Sequence, residues 1–173
     1  MNTEEKNPDI FRIGMASATD REAVMALYRL QKGREFCPWT DEYPAPENFE
    51  DDVAHNALFV MRTASGEIIG AISIERDPDV DRLACWDPVL QPAGEIARLA
   101  VHPQYQNRGL ARRLVRFIME ELKRRGYKGI HLIVNSRNEK ALRSYAVFHF
   151  SRAGECDLYS QHFLCLEKTL ESF

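Results

Sequence analysis

The segment at residues 99–111 combines residue types that can hold a phosphate group. It reads L-A-V-H-P-Q-Y-Q-N-R-G-L-A, which predicts a strand that stops at Pro103, a short loop, and a helix with Gly109 and Ala111 in its first turn. The first N–H groups of a helix have no partner within it, and the helix dipole makes this end positive. Small residues let a phosphate approach the backbone closely, and Arg108 adds a positive charge. The segment therefore indicates a pyrophosphate cradle, although many simple turns share this pattern.

Other nucleotide-binding patterns are absent from the sequence. It contains no G-x-x-x-x-G-K-[ST] and no G-x-G-x-x-G, so it has neither a Walker loop nor a Rossmann fingerprint. A second patterned segment follows at residues 134–150, where V-N-S-R-N-E-K-A leads to Tyr145 and Phe150. Two motifs in a fixed order are far more specific than either one.

Together the two segments resemble the GNAT superfamily of acetyl-CoA-dependent N-acetyltransferases. The letters Q-N-R-G-L-A at residues 106–111 match the family pattern Q/R-x-x-G-x-G/A, and L-A-V-x-P precedes them. The second segment is similar to the family's V-N-x-x-N-x-x-A-x-x-x-Y-x-x-x-G-F, except that His149 stands where the family has Gly. A positive φ at that position would be tolerated by His at a modest cost. The resemblance is specific over residues 95–150, and over the first half it rests on element order.

The resemblance implies that acetyl-CoA is the cosubstrate and assigns its contacts. The positions that match the family's cofactor-binding residues are Leu99, Ala100, Val101, Gln106, Asn107, Arg108, Gly109, Leu110, Ala111 and Asn138. A helix N-cap is the alternative role for Asn138, and the sequence leaves both roles open. Arg112 and Arg113 are candidates for the 3′-phosphate, but a solvated helix face is favoured.

Acetyl transfer needs a neutral amine, a donor to the oxyanion and a proton for the leaving thiolate. The resemblance assigns the proton donor to Tyr145 and the general base to Glu95, and a backbone N–H of Leu99 or Val101 to the oxyanion. A core tyrosine and a strand-edge carboxylate are the alternatives for the first two, and His102 or a water chain could replace Glu95. No cysteine lies in either motif, so direct attack in a ternary complex is favoured over an acyl-cysteine.

The acceptor site is expected outside the two motifs. Three aromatic residues on proline-rich loops, Trp39, Tyr43 and Trp86, are predicted to bind the acceptor. An acidic cluster could attract a cationic amine, with solvated surface charge as the alternative; it consists of Asp41, Glu42, Glu47, Glu50, Asp51 and Asp52. We therefore expect a small primary amine, with a peptide or protein acceptor, or a non-catalytic acyl-CoA-binding module, as alternatives.

Periodicity and chain breakers predict the elements that must position these residues. Strands are predicted over residues 11–15, 57–63, 68–76, 95–101, 129–134 and 162–168. Helices are predicted from residue 19 towards 33 and over 109–125 and 139–148, with an acidic amphipathic piece at 47–55 and a long loop at 77–94. The helix at 109–125 is the clearest because its apolar stripe ends in basic residues and Gly126.

Together with this order of elements, the resemblance implies an α/β (α+β) fold. We expect one N-acetyltransferase domain over residues 1–173, with a GNAT-like central mixed twisted sheet of about 6–7 strands and helices on both faces. Strands 4 and 5 are expected to splay and hold coenzyme A. Residues 1–9 are expected to form a loose tail, residues 11–94 the acceptor-side half and residues 95–173 the acetyl-CoA-binding half.

Composition excludes several other classes of protein. A chain of 173 residues with 45% hydrophobic and 28% charged residues is expected to be globular rather than disordered. The net charge of −3 argues against nucleic-acid and membrane partners, and no apolar run approaches a membrane span. The four scattered cysteines predict no metal and reduced thiols. With no signal-peptide pattern, a cytoplasmic location follows, and a homodimer is left open.

Overall fold

The computed structural model describes residues 10–171, which form a seven-stranded sheet flanked by helices. The predicted tail at residues 1–9 lies outside the described residues. In chain order the elements are β1 (Arg12–Met15), α1 (Arg21–Arg29), α2 (Pro46–Ala54), β2 (Leu58–Arg62), β3 (Ile68–Glu75), α3 (Pro78–Asp81), β4 (Ala93–Val101), α4 (Leu110–Arg124), β5 (Gly129–Asn135), α5 (Glu139–Ala146), β6 (Ser151–Leu158) and β7 (Gln161–Thr169). None of the helices described here is long and apolar enough to span a bilayer.

The sheet has the order β1-β2-β3-β4-β5-β7-β6. Strands β4 and β5 are parallel, and every other neighbouring pair is antiparallel. A parallel pair needs a long crossover, and here α4 supplies it. The predicted mixed sheet is confirmed, and the strand count lies within the predicted range.

The parallel pairing of β4 and β5 is short. Three residues of each strand pair, from Ala93 opposite Gly129 to Glu95 opposite His131. Strand β4 continues to Val101, so its last six residues have no partner on the side of β5. The predicted splay of strands 4 and 5 is therefore present, and it opens the edge of β4 towards the chain after α4.

Apolar side chains cover both faces of the sheet. On β2 they alternate, with Phe59 packing in the cluster that contains α4 and Val60 packing in the cluster that contains α1 and α2. On α4, Leu114, Ile118 and Leu122 are fully buried at helical spacing. Alternating apolar side chains on the strands and an apolar stripe on α4 therefore place helices on both faces of the sheet.

Two segments differ from the sequence prediction. The predicted long loop at 77–94 contains α3 and a 3₁₀ turn at Pro88–Leu90, and Val80 and Trp86 bury their side chains there. Strand β6 was not predicted, because it is an edge strand whose mixed, partly exposed side chains lack a clear period.

A buried ion pair lies at a bulge in β4. Ala71 pairs with Ala100 and Ser73 with Ala97, so two residues of β4 oppose one of β3. One of the two is Arg98, whose φ is +51°. Its guanidinium binds the Asp52 carboxylate of α2 through two hydrogen bonds, of 2.6 and 3.1 Å.

The position of Asp52 corrects part of the acidic-cluster prediction. The Ser73 hydroxyl donates to Asp52 over 2.6 Å, and Glu75 pairs with the same Arg98. Asp52 is buried, so it is a structural partner of Arg98 and is not available to a cationic amine. Breaking a buried pair leaves a charge without compensation, which is strongly destabilising.

Asp52→Asn should therefore lower the free energy of unfolding by about 3 kcal/mol or more. The matched control is Asp51→Asn, at an exposed carboxylate that contacts His55 on the same helix, and it should change stability by less than about 1 kcal/mol. Urea denaturation followed by circular dichroism measures both. Equal stabilities for the two variants would contradict the structural role of Asp52.

Candidate active site

A cleft of about 540 Å³ opens where β4 leaves β5. Three segments line it: the loop after α1 (residues 31–39), the end of β4 with the start of α4 (99–112), and the start of α5 (138–144). Since β4 has no partner beyond Glu95 on this side, its backbone groups are open to a ligand there.

The predicted cradle lies on this cleft. Gly109 is the N-cap of α4 with φ +74°, and a Cβ added there would meet no atom within 4 Å. Asn107 also has a positive φ, of +62°. All ten predicted cofactor-binding positions except Arg108 line the cleft, and the Arg108 guanidinium lies 5.2 Å from the Tyr105 ring centroid.

Asn138 is a helix N-cap and also lies on the cleft. Its Oδ1 accepts a hydrogen bond from the Ala141 N–H over 3.1 Å, which makes it the N-cap of α5. It also lines the cleft. The two candidates for the 3′-phosphate lie in different places. Arg112 lines the cleft, whereas Arg113 donates a hydrogen bond to the Phe11 carbonyl.

Cations that the sequence did not single out also line the cleft. Arg34, after α1, and Lys140, on α5, both donate to the Gln106 side-chain oxygen. Burial, followed by Arg34 and Arg143, lowers the pKa of Lys140. Lys140 and Arg143 share a helical face at i,i+3 spacing, a signal that could have identified them, whereas Arg34 carried no local signal.

Two glutamines fix the end of β4. The Val101 carbonyl accepts hydrogen bonds of 3.0 Å from both Gln31 Nε2 and Gln106 Nε2. These contacts connect α1 and the loop before α4 to the strand that lines the cleft. They hold the wall of the cleft in place without using the backbone of Leu99 or Ala100.

Tyr145 lies on α5 directly after Ser144; Ser144 lines the cleft, whereas Tyr145 does not. Its ring is buried and makes an edge contact with Phe150, with centroids 6.0 Å apart. Burial raises its pKa, so the hydroxyl keeps its proton at neutral pH. His149, which replaces the family Gly, adopts φ +57°, so the backbone conformation expected there is retained.

Glu95 is buried on β4, four residues before the cleft-lining Leu99, and does not itself line the cleft. Burial, followed by repulsion from Glu75, Asp77 and Asp81, raises its pKa to about 9. Its carboxyl is therefore protonated at neutral pH and ionises as the pH approaches 9.

The predicted acceptor aromatics separate in space. Trp39 lines the cleft, and Tyr43 makes an edge contact with it at 6.4 Å and receives a hydrogen bond from Arg98. Trp86 lies elsewhere, stacked on the imidazole of His131 with centroids 4.3 Å apart. The structure thus brings Trp39 and Tyr43 to one place and Trp86 to another.

Two solved acetyltransferases share this fold. The ribosomal-protein-S18-alanine N-acetyltransferase from Escherichia coli is 19% identical, with a TM-score of 0.70 over 95% of this chain and 99% of that one. The PaiA N-acetyltransferase from Thermoplasma acidophilum, solved in complex with coenzyme A, is 17% identical, with a TM-score of 0.70 over 92% of this chain and 99% of that one. At these identities the likeness establishes the fold alone.

Sequence comparison identifies the family. The acetyltransferase ECA0875 of Pectobacterium atrosepticum is 29% identical over 128 residues, which are 73% of this chain and 77% of that protein. The acetyltransferase (GNAT) family matches residues 24–150, a span that includes the cradle, the splayed strand and α5. The resemblance predicted from the two motifs is confirmed, and this chain belongs to the GNAT acetyltransferase family of acetyl-CoA-dependent acyltransferases.

Proposed function

We propose that this enzyme transfers an acetyl group from acetyl-CoA to the primary amine of a small cytoplasmic molecule, by direct attack in a ternary complex. The observation that carries this proposal is the cleft between β4 and β5. Its wall is the unpaired part of β4, and its floor begins at the left-handed Gly109. Its cations, Arg34, Arg112 and Lys140, suit the phosphates of coenzyme A.

Two features support a small cationic acceptor. Trp39 and Tyr43 offer aromatic faces beside the cleft. Burial is the largest cause of the raised pKa of Glu95, and repulsion from Glu75, Asp77 and Asp81 adds to it, so carboxylates outnumber cations around Glu95. A cationic amine would be drawn to this side, while the anionic cosubstrate is drawn to the cleft.

A peptide or protein acceptor is the second candidate. The fold is shared with an Escherichia coli enzyme that acts on the alanine of ribosomal protein S18. The discriminating experiment compares a panel of small amines with N-terminal peptides and follows the release of the coenzyme A thiol. We expect turnover with small amines, whereas turnover with peptides alone would favour the second candidate.

Tyr145 and Glu95 carry the proton transfers in this proposal. The protonated Tyr145 hydroxyl gives its proton to the leaving thiolate, and the backbone N–H of Leu99 or Val101 donates to the oxyanion. Glu95, whose pKa is about 9, accepts the amine proton through a water. Its pKa is close to that of an amine, about 10, so this transfer is nearly balanced.

The first prediction concerns the cradle. Gly109→Glu places a carboxylate where phosphate oxygens approach the backbone, and should weaken coenzyme A binding by more than about tenfold. The matched control is Gly126→Glu at the other end of α4, where φ is also positive (+89°) and space is also open. Calorimetric titration measures both affinities. Equal affinities in two folded variants would contradict the cradle.

The second prediction concerns Tyr145. Tyr145→Phe keeps the ring packing, so coenzyme A binding should survive while kcat falls by about 100-fold or more. Tyr127→Phe removes a hydroxyl from another tyrosine packed against the same core and should leave kcat unchanged. Steady-state kinetics measure kcat for both variants. If kcat of Tyr145→Phe stays within about twofold of the wild type, Tyr145 is not the proton donor.

The third prediction uses pH. With an acceptor amine that stays neutral throughout, kcat/KM should rise as Glu95 ionises, up to about pH 9, and Glu95→Gln should lose this rise.

The raised pKa of Glu95 also affects stability, because between pH 4.5 and 9 the folded state holds a proton that the unfolded state releases. Wild-type stability should therefore fall relative to Glu95→Gln across this range, by up to about 1.4 kcal/mol per pH unit.

Parallel pH–rate profiles would exclude Glu95 as the base. Parallel stability curves from urea denaturation at each pH would exclude the raised pKa itself. The two measurements are independent, because stability does not require an acceptor.

A further inference from the structure

Three potential metal ligands from distant parts of the chain meet behind the cleft. Asp81 ends α3, Glu95 lies on β4, and His131 lies opposite Glu95 on β5. One ligand atom from each, a carboxylate oxygen or a ring nitrogen, lies within 4.8 Å of the other two. None of the three residues is among those that line the cleft.

Three buried side-chain atoms of this group make no hydrogen bond to the described residues. The side chains of Glu95 and His131 belong to residues that are 4% and 2% exposed. Among the described residues, neither Glu95 Oε1 nor either ring nitrogen of His131 has a hydrogen-bond partner. Leaving a buried polar atom unsatisfied costs free energy, so these atoms point to a bound species that satisfies them.

The distance between two of the ligands fits a metal. His131 Nε2 lies 3.3 Å from Asp81 Oδ1 without forming a hydrogen bond. Two ligands about 2.0–2.1 Å from a tetrahedral zinc ion lie roughly 3.3 Å apart.

Trp86 holds the imidazole in place. Its indole stacks on the His131 ring at an interplanar angle of 7°, and its Nε1–H donates to the Val80 carbonyl over 2.8 Å. Val80 precedes Asp81 on α3, so one side chain positions two of the three ligands. The segment at 77–94 therefore positions two of the potential ligands.

Charge and access also favour a cation. Glu75 and Asp77 add negative potential at Glu95 beyond that of the ligands themselves. The Asp81 side chain is 51% exposed, so the group opens to solvent on one side. An ion can enter there, and water can complete its coordination.

We infer that Asp81, Glu95 and His131 bind a divalent transition-metal ion of the zinc class. One imidazole and two carboxylates suit zinc, whereas magnesium and calcium prefer oxygen ligands throughout. The sequence predicted no metal, because ligands at positions 81, 95 and 131 form no recognisable spacing. A bound ion would occupy the Glu95 carboxylate and therefore inhibit acetyl transfer. This inhibition rests on the proposed role of Glu95 as the base.

Two other groups on the chain could attract the same ion and serve as controls. Cys156 and Cys165 have sulfurs 3.8 Å apart. His162 lies 2.9 Å from Asp157 at the surface, with its imidazole exposed. Neither group presents a buried imidazole with both nitrogens unpartnered, so neither is expected to bind the ion first.

The test titrates chelator-treated full-length protein with zinc chloride in a calorimeter, without any acetyl-CoA or amine. Wild type should bind one equivalent per chain. Asp81→Asn and His131→Asn should weaken binding by more than the roughly 10–100-fold that loss of an outer-shell partner causes. His162→Asn and Cys156→Ser should bind as wild type. Cobalt(II) should bind without a sulfur charge-transfer band, since no thiolate is a ligand.

The proposal is overturned if wild type binds no zinc, if both ligand variants bind as wild type, or if a control variant or a thiolate band reveals another site. Asp81 is half-exposed, so Asp81→Asn decides the outcome should His131→Asn not fold. Inhibition is measured separately: zinc should inhibit wild type but not Asp81→Asn at the same concentration. An enzyme that binds zinc but acetylates no amine would refute the proposed function and leave the metal site standing.

Discussion

The early end of the pairing between β4 and β5 is the constraint on which the rest of the structure depends. A parallel sheet normally satisfies the backbone of both strands along their length. Here the pairing stops at Glu95 and His131, and six residues of β4 continue alone on that side. Their unpaired edge forms a wall of the cleft, and the helix that crosses from β4 to β5 begins at its rim. The cleft is therefore a consequence of sheet geometry before any side chain is considered.

A strand that leaves its neighbour must be held by other contacts, and the chain provides them at two points. At its end, Val101 is tied by two glutamine side chains to α1 and to the loop before α4. In its middle, the bulge turns Arg98 inward onto the carboxylate of α2. A buried ion pair is weak evidence for net stability but strong evidence for a specified geometry, because either charge alone would be costly. These contacts hold the wall of the cleft at its end and at its middle.

Charge is distributed unequally about β4. Cations from α4, α5 and the loop after α1 line the cleft, whereas carboxylates from β3 and from α3 and its N-cap lie around Glu95. This division suits an anionic cosubstrate on one side and a cationic partner on the other. Burial, together with these carboxylates, keeps Glu95 protonated, and a proton, an amine and a metal ion would compete for the same group. The chemistry of Glu95 is thus set by its neighbours in space, none of which is its neighbour along the chain.

The sequence by itself determined the features that are local. The loop at 106–111, α4 with Gly126 after it, and the left-handed position at 149 depend on contacts within a few residues, so residue types and spacing predict them. Tertiary structure alone decided which charges are buried and which ligands meet. Asp52 belongs to an apparently solvated acidic run yet pairs with Arg98, and Asp81, Glu95 and His131 come together only through sheet order. Trp86, predicted at the acceptor site, stacks on His131 because α3 folds back onto β5. Because such contacts join residues far apart in the chain, no local sequence pattern predicts them.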